Sequence, residues 1–181
     1  MKAADGARAV LFDRDGTLVE DLSYNGNPEL VTPVQGARAA VDLLRDNGIL
    51  LGIVSNQSGV GRGLLTEEDV HQVHERMVRL LGPFDDIRFC PHLPEDGCGC
   101  RKPEPGMVFA ACAALGVRPA SAVVVGDIGA DVGAAAAAGA MPILVPTPVT
   151  RREEVVSAPL LATDVVAAAE LAIELLVGVR T

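Results

Sequence analysis

Residues 9–18 read AVLFDRDGTL, an apolar run followed at once by two aspartates and a glycine. A short apolar run bounded by turn residues is typical of a strand buried inside a parallel sheet. In an open α/β sheet, ligands bind just beyond the carboxyl ends of the strands. The stretch therefore predicts a central strand over Ala9–Phe12, with functional side chains directly after it.

The same pattern continues along the chain, because short apolar runs alternate with longer segments of helical period. This alternation predicts an α/β fold, a Rossmann-like three-layer sandwich with a mainly parallel central sheet and no cap domain. We expect a single domain over residues 1–181, with a proline-rich loop before the last helix. Further strands are expected at 50–54, 87–89, 122–125 and 142–145, and helices at 36–46, 66–81, 106–115, 131–138 and 165–177.

The net charge and the distribution of apolar residues argue against nucleic acid and membranes as binding partners. The formal net charge is −9, which disfavours nucleic acid and anionic membranes because proteins bind both through Lys and Arg. No apolar run reaches the roughly 18 residues of a membrane-spanning helix. The N-terminal sequence MKAADGARAV lacks the apolar core of a signal peptide. We therefore expect a cytoplasmic monomer that binds no membrane and no nucleic acid.

Three aspartates are candidate catalytic and metal-binding residues. Asp13 and Asp15 lie two residues apart after the first strand, so both side chains start toward the same side. One carboxylate could attack an electrophile while the other transfers a proton. Asp127 follows the fourth apolar run, and a hard cation such as Mg²⁺ would relieve the repulsion among the three. The alternative is a solvated acidic loop, which matching polar groups at three other strand ends disfavour.

Polar and basic residues at two further strand ends suit phosphate. Ser55 and Asn56 open a glycine-containing loop, where hydroxyl, amide and backbone N–H groups can bind phosphate oxygens. Lys102 would add a positive charge, and Arg101 would add planar hydrogen bonds. Together with Mg²⁺, these groups would balance the charge that develops in phosphoryl transfer. The sequence thus favours a small phosphorylated substrate.

A cysteine-rich loop at residues 90–100 predicts a zinc site. Cys90, His92, Cys98 and Cys100 supply four ligands, which is a complete tetrahedral set. Structural zinc sites are closed in this way, whereas catalytic zinc keeps one position for water. Free thiols on a loop are the alternative. Cys112 stands apart among apolar residues and is expected to be a small buried side chain.

Two histidines, His71 and His74, lie three residues apart within a predicted helix. This spacing would place them on one helix face, where a pair of metal ligands could form. The sequence offers them no nearby acid or thiol partner in a ligand pattern. We therefore expect both to be ordinary surface residues.

Four motifs resemble those of the haloacid dehalogenase superfamily of aspartyl phosphatases, and they occur in that family's order. FDRDGTLVE resembles the first, VSNQSG the second, Lys102 the third and VVVGDIGAD the fourth. CPHLPEDGCGCRKPEPGM and SNQSGVGRG resemble the branch that holds the heptose 1,7-bisphosphate phosphatases and the histidinol-phosphate phosphatase domain. Heptose phosphatases commonly carry lysine where Ile128 stands, and the short loop between His92 and Cys98 is typical of the histidinol-phosphate domain. The resemblance favours a heptose bisphosphate 7-phosphatase and leaves histidinol phosphate open.

The resemblance also implies roles for individual residues. Asp13 would be the nucleophile that forms a phosphoaspartate, and Asp15 the general acid and base. Asp13, the backbone carbonyl of Asp15 and the carboxylate of Asp127 would hold Mg²⁺. Ser55, Arg101 and Lys102 would steady the phosphoryl group. The implied substrate pocket consists of Asp21, Leu22, Ser23, Tyr24, Ser55, Asn56, Gln57, Ser58, Arg101 and Lys102.

Two hypotheses from other classes remain at this point. A phospho-acceptor switch also places acids and a lysine at the ends of parallel strands, but it needs neither Asp15 nor a zinc loop. A zinc-dependent binding module would make the strand-end acids incidental. If the protein is a phosphatase, we expect zinc to act as a clamp that fixes Arg101 and Lys102 at the mouth of the Asp13 site.

Overall fold

Five parallel strands form one sheet in the computed structural model, which describes residues 6–178. All five predicted strands are present, and the strand order is β3-β2-β1-β4-β5. The predicted α/β class and parallel sheet are therefore confirmed. The strands are β1 (Ala9–Phe12), β2 (Leu50–Asn56), β3 (Asp86–Cys90), β4 (Ala122–Gly126) and β5 (Met141–Leu144).

The helices agree with expectation apart from one short addition. None of those within residues 6–178 has the length and apolar character needed to span a bilayer. The α-helices are α1 (Ala37–Asp46), α2 (Glu67–Leu81), α3 (Gly106–Leu115), α4 (Gly129–Ala138), α5 (Arg152–Ser157) and α6 (Val165–Val177). Short 3₁₀ helices cover Pro28–Leu30, Pro94–Asp96 and Pro119–Ser121.

Helix α5 lies where the sequence predicts only a loop, so that prediction was wrong in this part. The helix has six residues, too few for an amphipathic period to stand out. Its first turn is capped because the Glu154 carboxylate accepts a hydrogen bond from the Arg151 backbone N–H at 2.9 Å. Local capping therefore stabilises a short helix in a segment that the neighbouring prolines lead us to predict as a loop.

Two apolar cores cover the two faces of the sheet. Val10 and Phe12 of β1 face a core built with α1, α2 and α6, while Ala9 and Leu11 face a core built with α3 and α4. All four side chains are fully buried, as expected for a central strand covered on both faces. The predicted three-layer sandwich is confirmed, and so is the burial of Cys112, which belongs to the second core.

The prediction for the α2 histidines is correct for His71 and wrong for His74. His71 is exposed, whereas His74 is 4% exposed and its ring packs against Phe89 of β3. Burial, with smaller contributions from Arg14 and His71, lowers the pKa of His74 to about 3. His74 is therefore a neutral core residue, because the face of α2 that carries it turns toward the sheet.

The topology places a crevice at the carboxyl ends of β1 and β4. These neighbours pair in register from Ala9↔Ala122 to Phe12↔Val125. The chain leaves β1 toward β2 on one side and leaves β4 toward β5 on the other, so the two connections diverge. Such a switch point is where open α/β sheets bind ligands.

Candidate active site

A cavity of about 400 Å³ opens at this crevice. It collects the residues that follow β1, β2 and β4 together with the loop after the cysteine cluster. Most of the predicted catalytic and substrate-pocket residues line it, and Arg101 does not. The lining consists of Asp13, Arg14, Asp15, Asp21, Leu22, Ser23, Tyr24, Ser55, Asn56, Gln57, Ser58, Gly59, Lys102, Asp127, Ile128 and Val149.

Lys102 bridges two buried carboxylates at the base of the cavity. Its Nζ donates to Asp13 Oδ1 at 2.7 Å and to Asp131 Oδ1 at 2.5 Å. Burial by itself lowers the pKa of Lys102, but the charges of Asp13 and Asp131 outweigh burial and raise that pKa above its ordinary value. Lys102 therefore stays protonated beside the candidate nucleophile.

Asp131 is a site residue that the sequence reasoning missed. It is 1% exposed, and its Oδ2 accepts a hydrogen bond from the Ile128 backbone N–H at 3.2 Å. Both of its oxygens are thus engaged within the protein. Its place in the quoted motif VVVGDIGAD was the available signal, but only the fold shows that it contacts Lys102.

Asp127 is held against the turn that follows β1. Any Cβ at position 16 would collide with the Asp127 carboxylate, so Gly16, at φ +81°, is required there. Thr147 Oγ1 donates to Asp127 Oδ2 at 3.3 Å, and Thr150 Oγ1 donates to its backbone carbonyl at 2.6 Å. Burial, followed by the charge of Asp131, raises the pKa of Asp127 to about 7.

The carboxylates fit a hard divalent cation. Oxygens of Asp13, Asp127 and Asp131 all lie within 4.8 Å of one another. Since Asp131 is occupied by Lys102 and a backbone N–H, Asp13 and Asp127 are the carboxylates left to act as ligands. Burial raises the pKa of Asp13 above its usual range despite the opposing charge of Lys102. Two desolvated carboxylates with oxygen donors are the chemistry that Mg²⁺ prefers.

Asp15 projects into the cavity with both carboxylate oxygens bound by neighbours. Arg14 donates from Nε to Oδ1 at 2.9 Å and from Nη2 to Oδ2 at 2.8 Å. Gln57 Nε2 donates to the same Oδ2 at 2.8 Å and to Ser55 Oγ at 2.8 Å. The side chain of Asp15 is 25% exposed, so it remains accessible from the cavity.

Asn56 links β2 to the loop that carries Lys102. Its Oδ1 accepts from the Lys102 backbone N–H at 3.0 Å, and its Nδ2 donates to the Lys102 carbonyl at 3.0 Å. This reciprocal pair satisfies both backbone groups of Lys102. Asn56 lines the cavity as predicted, and in addition it fixes the backbone of the lysine.

The four predicted zinc ligands converge at one point. Cys90 Sγ lies 3.6 Å from Cys98 Sγ and 3.3 Å from Cys100 Sγ, and His92 Nδ1 lies 3.4 Å from Cys90 Sγ. A regular tetrahedron with bonds of about 2.3 Å has edges of about 3.8 Å. The observed edges are slightly shorter, so the donor set fits a closed tetrahedral Zn²⁺ site.

The cysteine loop is also tied directly to the cavity. The Gln57 backbone N–H donates to the Cys90 carbonyl at 2.7 Å, and the Gly61 N–H donates to the Pro91 carbonyl at 3.0 Å. Arg101, by contrast, directs Nη1 to the His92 carbonyl at 3.4 Å and lies outside the cavity lining. The structure therefore brings Lys102, but not the Arg101 guanidinium, to the candidate nucleophile.

The rim of the cavity carries three exposed apolar side chains beside the polar residues Asp21 and Ser23. Leu22 and Tyr24, both predicted, lie there with Val149, which the sequence reasoning missed; they are 43%, 47% and 63% exposed. Tyr24 has φ +53°, an uncommon conformation for a non-glycine residue, and a Cβ at Gly59 would lie 2.8 Å from its ring. Gly59 thus allows the Tyr24 ring to pack against the loop that follows β2.

Comparison with known proteins identifies close relatives. A family model described as HAD-hydrolase-like matches residues 99–172. The chain is 34% identical over 145 residues to D-glycero-β-D-manno-heptose-1,7-bisphosphate 7-phosphatase of Neisseria meningitidis, covering 77% of this chain and 78% of the relative. The corresponding enzyme of Haemophilus ducreyi is 39% identical over 145 residues, covering 74% and 80%.

A solved structure agrees with these relatives. D,D-heptose 1,7-bisphosphate phosphatase from B. bronchiseptica, complexed with magnesium and phosphate, superposes with a TM-score of 0.82 at 32% identity. The match covers 92% of this chain and 98% of that one. The likeness therefore extends over nearly the whole of both folds.

Proposed function

This chain belongs to the haloacid dehalogenase-like phosphatases, the family of the relatives just described, and on that premise we propose that it is a D-glycero-D-manno-heptose 1,7-bisphosphate 7-phosphatase. That it is a phosphoric monoester hydrolase follows from the family. The observation that carries the phosphatase chemistry is the convergence of Asp13, Asp15, Lys102 and Asp127 in one cavity at the strand ends. The named relatives favour heptose bisphosphate over histidinol phosphate.

The proposed chemistry has two steps. In the first, a carboxylate oxygen of Asp13 forms a bond to phosphorus while the bond from phosphorus to the sugar oxygen breaks. Asp15 gives its proton to the leaving alkoxide, which departs as an alcohol. In the second, a water oxygen forms a bond to phosphorus while the bond from phosphorus to the Asp13 oxygen breaks, and the water loses a proton to Asp15. Inorganic phosphate leaves, and both aspartates return to their starting states.

Charge balance supports these roles. Lys102, fixed 2.7 Å from Asp13, would offset negative charge on the transferring group, and Ser55 would add a hydroxyl donor. The substrate-lining roles of Asp21, Leu22, Ser23, Tyr24 and the segment 55–58 are part of the proposal. Arg101 would have to leave the His92 carbonyl to reach a substrate.

Two metals complete the proposal. Asp13, the backbone carbonyl of Asp15 and Asp127 would hold Mg²⁺, whose charge would supply electrostatic stabilisation of the phosphoryl group. Cys90, His92, Cys98 and Cys100 would hold a structural Zn²⁺ that fixes the loop leading to Lys102. We also propose that residues 1–181 act as one domain and that the enzyme is a cytoplasmic monomer.

Phosphate release from a substrate panel tests the function. The panel contains heptose 1,7-bisphosphates, histidinol phosphate and simple sugar phosphates, each assayed with and without Mg²⁺. Asp13→Asn should abolish turnover and leave the circular dichroism spectrum unchanged, while Asp46→Asn, an exposed acid at the end of α1, should retain activity. Full Mg²⁺-dependent activity in Asp13→Asn would refute the phosphoaspartate mechanism. A long-lived phosphoprotein with little turnover would favour a phospho-acceptor switch instead.

A further inference from the structure

The guanidinium of Arg14 is buried at the back of the cavity and directed at one carboxylate. Arg14 is 2% exposed, and its paired hydrogen bonds to Asp15 form the fork that arginine makes with carboxylates. Its remaining terminal nitrogen, Nη1, is buried without a partner among the described residues. Asp15 is therefore the one carboxylate with which Arg14 forms an ion pair in the described part of the chain.

Gln57 completes the enclosure from the end of the neighbouring strand, β2. It is 5% exposed, and its amide bridges Asp15 Oδ2 and Ser55 Oγ. The Gln57 backbone is itself fixed, because its N–H donates to the Cys90 carbonyl. Nε2 is thus a preset donor, and both of its hydrogen bonds go to protein groups, although the residue also lines the cavity.

We propose that Arg14 and Gln57 are positioning residues that clamp the Asp15 carboxylate in the orientation required for proton transfer to the leaving alcohol. This inference rests on the proposed function, because it takes Asp15 to be the general acid. It assigns to Gln57 a role that differs from the substrate contact expected from its motif. It gives Arg14, which no motif argument singled out, a direct part in organising the site.

Physical reasons favour a positioning role over a merely structural ion pair. A buried ion pair contributes little net stability, because desolvation offsets much of its attraction. Here the pair also leaves Nη1 unsatisfied, which adds a further penalty. Asp15 alone would be free to rotate about its side-chain bonds at the cavity wall. Three hydrogen bonds from two separate strand ends remove that freedom, and placement to within a fraction of an ångström is what general acids need.

The leaving-group dependence of the rate separates positioning from structure. A sugar phosphate releases a strongly basic alkoxide and needs a proton donor, whereas p-nitrophenyl phosphate releases a stable anion and does not. The ratio of kcat/KM for these two esters should therefore report on the general acid alone. The reason is that kcat/KM includes only the steps up to formation of the phosphoaspartate, and hydrolysis of that intermediate does not affect it. Substitutions Arg14→Met, Arg14→Lys and Gln57→Leu are compared with Asp15→Asn as the reference for a missing acid.

We expect kcat/KM for the sugar phosphate to fall about 100-fold in Arg14→Met and about 10-fold in Gln57→Leu. For p-nitrophenyl phosphate the fall should stay within about threefold, with a burst of p-nitrophenol as phosphoaspartate accumulates. Gln72→Leu, an exposed glutamine on α2, is the matched control and should behave as wild type. Arg14→Lys should recover part of the loss, since lysine restores the charge without the fork.

An equal loss on both esters, or no loss on either, would overturn the positioning role. Melting temperatures identify any variant that fails to fold, and Gln57→Leu keeps the test available if Arg14→Met does not fold. Other outcomes would contradict the proposed function itself. If wild type hydrolyses neither ester, the protein is not a phosphatase of this kind. If Asp15→Asn loses equal activity on both esters, Asp15 is not the general acid. If Asp15→Asn lost more activity on the sugar phosphate than on p-nitrophenyl phosphate but the Arg14 and Gln57 variants did not, this inference alone would be rejected.

Discussion

Lys102 Nζ and Asp131 Oδ1 lie 2.5 Å apart, and their side chains are 2% and 1% exposed. The lysine comes from the loop after the cysteine cluster, and the aspartate comes from the first turn of α4. The ion pair therefore joins two elements that are 29 residues apart in the chain. Lys102 Nζ also donates to Asp13, so the two carboxylates share one ammonium group.

Asp131→Asn should lower kcat by at least about tenfold and the free energy of unfolding by about 1–3 kcal/mol. Without the Asp131 charge, Lys102 would bind Asp13 more tightly and make it a weaker nucleophile. Steady-state kinetics and urea unfolding measure the two effects. Glu174→Gln, an exposed acid on α6, serves as the control for a change of net charge. Wild-type kcat in Asp131→Asn would show that Lys102 does not need its second partner.

Zinc should be bound at one ion per chain and should support activity indirectly. Cys100→Ser removes one ligand, so the loop before Lys102 should loosen and phosphatase activity should fall. Native mass spectrometry reports zinc content, and hydrogen exchange reports order in the loop. Cys112→Ala, which changes the fourth cysteine within a core, should keep both zinc and activity. If zinc removal changed neither loop order nor turnover, the clamp hypothesis would be wrong.

Mg²⁺ affinity should fall by at least about tenfold between pH 8 and pH 6, because Asp13 and Asp127, both proposed ligands, each have a raised pKa. Burial raises the pKa of Asp127 from 3.8 to about 7, and Mg²⁺ competes with the proton for the carboxylate. Since the folded-state pKa is raised, the metal-free protein loses stability as pH rises from about 4 to 7, and Mg²⁺ should restore it. Thermal shift titrations at the two pH values measure this. The increase in melting temperature caused by Mg²⁺ should vanish in Asp127→Asn. An increase in wild type that does not depend on pH would contradict the assignment of Asp127 as a Mg²⁺ ligand.

His74 should make the protein sensitive to acid. Its folded-state pKa of about 3 lies below the ordinary 6.5, so the unfolded chain takes up a proton first as pH falls. Stability is then lost between pH 6.5 and 3, amounting to about 2 kcal/mol by pH 5. His74→Leu should remove this loss, as measured by urea unfolding at pH 8 and pH 5. His71→Leu, at the exposed neighbour, should keep the wild-type difference; equal pH dependence in both variants would count against the assignment.

Much of the fold could be predicted because its signals are local. The stretch 9–18 combines a buried strand with a turn that only glycine permits, and four of the five strand ends were marked by residues that can carry chemistry. The zinc set was equally visible, since its four donors lie within eleven consecutive residues. Helix α5 and the burial of His74 could not be predicted in this way. The helix depends on short capping contacts, and the burial of His74 depends on which face of α2 packs against the sheet.

The sequence by itself determined the α/β class, the strand ends that carry chemistry and the types of side chain available there. Only the tertiary structure decided which of those side chains meet. It joined Lys102 to Asp131, turned Arg101 toward the His92 carbonyl and placed Gln57 on Asp15. The physical reason is that periodicity and turn chemistry act over a few residues, whereas a buried charge finds its partner across the sheet. That partner depends on the register and crossing of elements far apart in the chain.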